Sequence, residues 1–206
     1  MNIDVLQVPA AAFIFALDSV VERLEPSRLF ARTQPLEIEL GSGDGSFLAQ
    51  YAEGHRERNF IGVERLLGRL RKLDRKVRRL DLGNVRAVRI EAAYFLEYLL
   101  PPSSAEALHI YFPDPWPKRR HHKHRLIHER FPLLARQILA DGGTVYLRTD
   151  NAEYFKRMKE VFGACAFFEE TQTPEELAAT LTDFERGFLA KGVHTLRAAY
   201  RTIKHQ

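Results

Sequence analysis

One cysteine, two methionines and one tryptophan are all that 206 residues contain of these three types. A single thiol closes no internal disulfide, so Cys165, inside the apolar run ACAFF, reads as a small buried side chain, and a reducing, cytoplasmic location is expected. No apolar stretch approaches the roughly 20 residues that a transmembrane helix needs. The nearest, VLQVPAAAFIFAL at 5–17, follows Asp4 where a secretory leader would carry basic residues. It is expected to be a strand-like arm or the lead-in to a helix, within an N-terminal arm over residues 1–33, and no membrane partner is expected. Internal repeats and low-complexity tracts are also missing. Hydrophobic residues are not in short supply: at 45%, beside 28% charged, they exclude global disorder and at this length suffice for one domain spanning 1–206.

The net charge of +4 favours an anionic partner without naming one. From residue 36 onward short β-branched runs alternate with helical ones, the pattern of an α/β sandwich with a largely parallel sheet. Strands are predicted at 36–40, 59–63, 84–90, 107–112 and 142–150, and around 165–170 and 193–203. Helices are predicted from Ser46, over 64–81, 92–100, 126–140 and 152–162. In the 64–81 segment Leu66, Leu70, Leu73, Val77 and Leu80 recur at spacings of three and four while arginines and lysines fill the other faces, so it packs on the sheet by one stripe.

The turn after the first of these strands is ELGSGDG at 39–45, with Gly41, Gly43 and Gly45 spaced as GxGxG. That spacing departs from the GxGxxG of dinucleotide oxidoreductases. Acids then stand at successive strand ends: Glu39, Glu64 after NFIGV, Glu91 after NVRAVRI, and Asp114. Ligands of open α/β sheets bind beyond the carboxyl ends of the strands, so these four are predicted to converge on one crevice, with Glu64 suited to ribose hydroxyls. Downstream, YFPDPWPKRRHHKHR at 111–125 places Asp114 and Trp116 among three prolines and then a dense run of cations.

These elements together, ELGSGDG, IGVE, FPDPWPK with its trailing HxKxRL, Thr149 and Asp150 at a strand end, and TDFE at 182–185, resemble the bacterial tRNA (guanine-N7)-methyltransferases. The resemblance runs from about residue 36 to the C-terminus, and FPDPWPK with its basic run is the most specific part. It implies a class I methyltransferase fold, a Rossmann-like three-layer α/β sandwich whose mostly parallel sheet has an antiparallel C-terminal strand. It also implies S-adenosyl-L-methionine as cofactor, tRNA as partner, and guanosine 46 of the variable loop as target. Glu39, Gly41, Gly43, Gly45, Glu64 and Glu91 would meet the cofactor, and Asp114 would stand between cofactor and substrate as the catalytic group. Lys118, Asp150, Thr182, Asp183, Phe184 and Glu185 would lie on the substrate side. The family commonly has Asp where this chain has Glu91, so its reach toward the cofactor would differ.

Chemistry gives the same residues a purpose. Guanine becomes cationic when N7 is methylated, and a carboxylate such as Asp114 stabilises the developing charge. Asp150 and Glu185 are candidates for the donors on the Watson–Crick edge. Pro113, Pro115 and Pro117 restrict the backbone around Asp114, and Trp116 either stacks on a base or joins the core. Arg119, Arg120, Lys123 and Arg125 are predicted on RNA phosphates, and the arginine-rich face of the 64–81 helix is a solvated surface that could extend the footprint. The neighbouring histidines lack a metal-ligand pattern, so no metal is expected. Monomer and homodimer stay open, as do two other functions, methylation of an exocyclic amine and RNA binding without catalysis.

Overall fold

The computed structural model describes residues 12–203, so positions 1–11 of the expected N-terminal arm lie outside the described residues. In chain order the elements are β1 (Ile14–Phe15), β2 (Leu36–Leu40), α1 (Ser46–Gly54), β3 (Asn59–Val63), α2 (Leu67–Arg79), β4 (Val85–Val88) and α3 (Ala92–Tyr94). There follow β5 (Ala105–Tyr111), α4 (Phe131–Ile138), β6 (Leu139–Thr149), α5 (Ala152–Gly163), β7 (Phe168–Thr171), α6 (Glu175–Ala179), α7 (Asp183–Leu189) and β8 (Leu196–Thr202). The strands form one sheet in the order β1-β4-β3-β2-β5-β6-β8-β7. Pairings from β1 to β6 are parallel, and β8 runs antiparallel between β6 and β7.

Every residue of β2, β3 and β4 is buried, as expected of parallel strands covered on both faces. One face is aliphatic and aromatic: Ile38, Ile61, Leu108 and Ile110 pack against α4 and α5 through Phe131, Ala135, Met158 and Phe162. The other is covered by α1 and α2, which bring Phe47, Leu48, Leu70, Leu73 and Val77. The stripe predicted for the 64–81 segment is therefore buried at its centre, whereas Leu66 is 51% exposed just before α2 begins.

Strand and helix ends shift by up to three residues from the sequence expectations, and a few elements differ more. The helix expected over 126–140 starts only at Phe131, because Pro132 fits the first turn of a helix and not its interior. After α3 the chain continues as one π-helical stretch, Phe95–Leu99, that stops before Pro101. The polar segment with TPEEL and TDFE, where the sequence pattern predicts neither strand nor helix, supplies the short helices α6 and α7. Within the N-terminal run, Ile14 and Phe15 extend the sheet by pairing with Ala87 and Val88, and no helix forms there among the described residues.

Candidate active site

The carboxyl ends of β2, β3 and β5 open into a crevice of about 360 Å³, within the usual size of ligand pockets. Its floor is the glycine turn. Gly41, Gly43 and Gly45 have φ of 81°, 56° and 72°, backbone that side-chain-bearing residues rarely adopt. At Gly45 a Cβ would also lie 2.1 Å from Leu73 Cδ1, so this glycine lets α1 start directly against α2.

Two buried polar atoms in this floor lack partners among the described residues, Glu39 Oε2 and Ser42 Oγ. Burial pushes the Glu39 carboxyl well above the ordinary carboxylate range; Arg148 opposes this, while Asp44 and Glu64 add to it. Glu64 is buried at the rim, where Oε1 accepts from Leu66 N at 2.8 Å and Oε2 lies 3.6 Å from Arg69. An acceptor-rich, glycine-floored cleft with unsatisfied oxygens suits a ligand that carries hydroxyls and positive charge, as S-adenosylmethionine does. Glu91 stands apart: it is exposed and caps α3, its Oε2 accepting from Tyr94 N at 2.7 Å.

Asp114 forms the opposite wall. The loop after β5 holds it between Phe112 at φ 52° and Trp116 at φ 42°, both in the left-handed region, with prolines filling the intervening positions. Strain of this kind costs on the order of 1–3 kcal/mol per residue and persists only where the surroundings impose it. Asp114 is exposed toward the crevice, and its Oδ1 accepts from Trp116 N at 3.2 Å. The Trp116 ring neither joins the core nor stands free. It lies 5.8 Å from His121 and 5.3 Å from His124, on the 3₁₀ turn Arg119–His124.

Lys118, Arg119, Arg120 and Lys123 are exposed on this turn without ion-pair partners among the described residues. Arg125, expected beside them on the phosphates, is turned inward. It is 4% exposed, donates through Nε to Pro115 O at 2.7 Å, and grips Glu153 with both terminal nitrogens at 3.1 and 2.5 Å. Its guanidinium also covers the Tyr154 ring at 4.6 Å. Tyr154 and Glu153 in α5 satisfy it, and a buried arginine must be paired. Arg125 thus braces the Asp114 loop.

The third wall comes from α7. Thr182 and Phe184 line the crevice, Phe184 57% exposed with its ring 6.0 Å from that of Phe112. Asp183 N donates to Ser46 Oγ at 3.0 Å, which ties the start of α7 to the start of α1. Glu185, expected to face guanine, is instead fully buried. Oε2 accepts from Arg148 Nη1 at 2.8 Å and from Thr182 N at 2.9 Å, and Oε1 from Arg197 Nη2 at 2.9 Å. Burial would raise its carboxyl, but these donors outweigh burial and hold it below the usual range. Fully buried and holding three donors, this carboxylate does not open onto the crevice. Asp150, the other candidate, is exposed just beyond β6.

Apart from Glu39, sequence reasoning missed the residues beneath the crevice. Register places Glu37 and Glu39 of β2, His109 and Tyr111 of β5, and Tyr146 and Arg148 of β6 on the face covered by α1. His109 is fully buried, with Nε2 2.7 Å from Glu37 Oε2 and Nδ1 2.8 Å from the Tyr111 hydroxyl. Burial would raise the Glu37 carboxyl, and His109 with Arg58 more than reverses that. The signal was the alternation in LEIEL, LHIY and VYLRT, which marks a polar face inside central strands.

Comparison with known proteins agrees with this geometry. Residues 33–198 match a family model described as "Putative methyltransferase". The chain is 36% identical over 186 residues to a protein of Alkalilimnicola ehrlichii named tRNA (guanine-N(7)-)-methyltransferase, covering 88% of this chain and 78% of that protein. A protein of the same name from Thiobacillus denitrificans is 38% identical over 175 residues, 84% of this chain and 77% of that one. Among solved structures, a 16S rRNA methyltransferase, KamB, superposes with a TM-score of 0.63 over 88% of this chain and 95% of its own, at 13% identity, which shows likeness of fold alone. The sheet order with its inserted antiparallel strand is the class I methyltransferase arrangement that the sequence resemblance implied. By sequence over most of its length, the chain belongs to the tRNA (guanine-N7-)-methyltransferase family.

Proposed function

We propose that the crevice binds S-adenosylmethionine and that the protein methylates N7 of guanine in tRNA, at guanosine 46 of the variable loop. The observation that carries this is the placement of Asp114, fixed between two left-handed residues, with the glycine floor on one side and an unpaired cationic turn on the other. The cofactor supplies a methyl group already activated on a sulfonium, and N7 is an unprotonated lone pair, so no general base is needed. Positioning and charge carry the catalysis, the former contributing about 7–11 kcal/mol when reactants are held near attack.

Glu39 and Ser42 offer acceptors to the cofactor from the floor, and Glu64 offers its carboxylate to ribose hydroxyls at the rim. Glu91 caps α3 through Oε2 and has its other carboxylate oxygen to offer the cofactor. Asp114 faces the guanine as it turns cationic. Lys118, Arg119, Arg120 and Lys123 hold backbone phosphates beside it, Asp150 accepts from the base, and Thr182, Asp183 and Phe184 close over it. The described residues act as one domain, working in the cytoplasm where tRNA is found.

Incubation with labelled S-adenosylmethionine and unmodified tRNA, followed by mapping of the labelled nucleotide, tests this. Label at N7 of guanosine 46 is the expected result. Label on an exocyclic amine, or none in a folded protein that still binds tRNA, would overturn it.

A further inference from the structure

Arg148 stands first among the largest fully buried side chains of the described residues, an unusual place for a permanent cation. It projects from β6 into the layer between the sheet and the α6–α7 segment. Nη1 donates to Thr180 O and Glu185 Oε2, each at 2.8 Å, and Nη2 donates to Leu177 O at 2.5 Å. Its plane lies over the Tyr111 ring at 4.1 Å, beside the fully buried His109 and Glu37 pair. One side chain therefore fastens three points of a segment whose helices have only five and seven residues, too short to hold themselves.

We propose that Arg148 is a positioning residue for methyl transfer, a clamp that keeps Thr182 and Phe184 closed against the crevice. The inference rests on the function proposed above. Stability alone does not account for the residue, because well-packed apolar side chains commonly replace a buried ion pair without destabilising the fold. Geometry does account for it. A planar fork donates from two nitrogens held apart in fixed directions, one to Thr180 O and Glu185 and the other to Leu177 O, which a single ammonium nitrogen does not reproduce. Thr182 caps α7 through the same Glu185 that Arg148 holds, so the position of the crevice wall follows that of the guanidinium. Arg148 acts toward the floor as well. The groups that bear on Glu39 are Arg148 from β6, Lys76 from α2, Glu64 after β3 and Asp44 in the glycine turn, and Arg148 is the stronger of the two cations.

Two substitutions separate clamp from charge. Arg148→Lys keeps the charge but removes the fork. Amide hydrogen exchange over 177–185 is expected to rise at least about tenfold while β2 and β5 stay protected, and the single-turnover methylation rate at saturating substrates to fall about 10- to 100-fold. The pH midpoint of S-adenosylmethionine binding by calorimetry should stay in place. Arg148→Gln removes both, and the midpoint should move to higher pH, since Glu39 keeps its proton longer. A purely structural role predicts instead a lower melting temperature with the binding midpoint unmoved in either variant. Exchange and rate within about twofold of the parent in folded Arg148→Lys would overturn the clamp. If the Arg148 variants do not fold, Glu185→Gln releases the segment from its other side, and the same readouts decide. A parent that methylates no tRNA while the variants loosen 177–185 would refute the proposed function and with it the role of Arg148 in methyl transfer, leaving only its hold on the crevice wall.

Discussion

Replacing Glu39 by glutamine is expected to stabilise the free protein and at the same time remove its cofactor affinity. The Glu39 side chain is 4% exposed, its Oε2 has no partner among the described residues, and burial lifts its carboxyl well above the ordinary range. A carboxyl raised on folding contributes stability below its unfolded value of about 4.3, and that contribution is lost as pH rises through the folded value. At neutral pH, where the unfolded chain's carboxyl is ionised, burying this group is therefore a net cost to folding. Leaving a buried polar or charged group unsatisfied costs about 1–3 kcal/mol, and a neutral amide escapes the part due to charge. For a chain of this size each kcal/mol moves the melting midpoint by about 2–4 °C, so a gain of roughly 2–12 °C is expected near pH 8, shrinking toward zero near pH 4. Saturating S-adenosylmethionine should reverse the order, because a ligand at a hundred times its Kd stabilises the parent by about 2.7 kcal/mol and the variant hardly at all. Thermal unfolding with and without cofactor, at both pH values, measures the inversion. A variant that melts below the parent without ligand and gains as much from the cofactor would refute the assignment of Glu39 as an unsatisfied ligand group.

Other substitutions probe the remaining walls. Glu64→Ala should weaken S-adenosylmethionine binding by about 1.5–3 kcal/mol, the worth of hydrogen bonds to a charged group, and calorimetric titration at constant pH would report it. Asp114→Asn should lower the single-turnover rate about a hundredfold to a thousandfold with both affinities little changed, since the missing interaction exists mainly in the transition state; poor tRNA binding with a normal rate would contradict this. Replacing Lys118, Arg119 and Lys123 together should flatten the log–log salt dependence of tRNA binding by about 0.7–0.9 for each phosphate left without its cation, whereas Arg125→Met should leave that slope intact and lower the melting temperature. Glu185 is held below the ordinary carboxylate range despite its burial, so the stability it contributes is complete above about pH 4.3 and is lost as pH falls through its folded value. Glu185→Gln should accordingly show a shallower fall of melting temperature in acid than the parent.

Much of the crevice was legible in the chain itself. The runs at 36–40, 59–63 and 107–111 become central strands buried on both faces, and the glycine turn and the acids at strand ends follow from chain direction alone. Parallel strands deliver their carboxyl ends to one side of the sheet whatever covers it, which is why Glu39, Glu64 and Asp114 converge. Burial of the polar side chains was not decided locally. The alternation in LHIY and VYLRT says that His109 shares a face with Tyr111, and Tyr146 with Arg148, but a face becomes interior only when another part of the chain lies on it. Here α1 and the α6–α7 segment do so, tied by a hydrogen bond between residues 137 positions apart. That link turns Glu185 from a candidate base reader into a buried acceptor, and the seating of Arg125 on Tyr154 and Glu153 likewise turns a phosphate candidate into a brace. Local sequence sets which way a side chain points from its strand or turn; the partners that wait there, and hence whether its charge meets water, RNA or another charge, are set by the packing of distant segments.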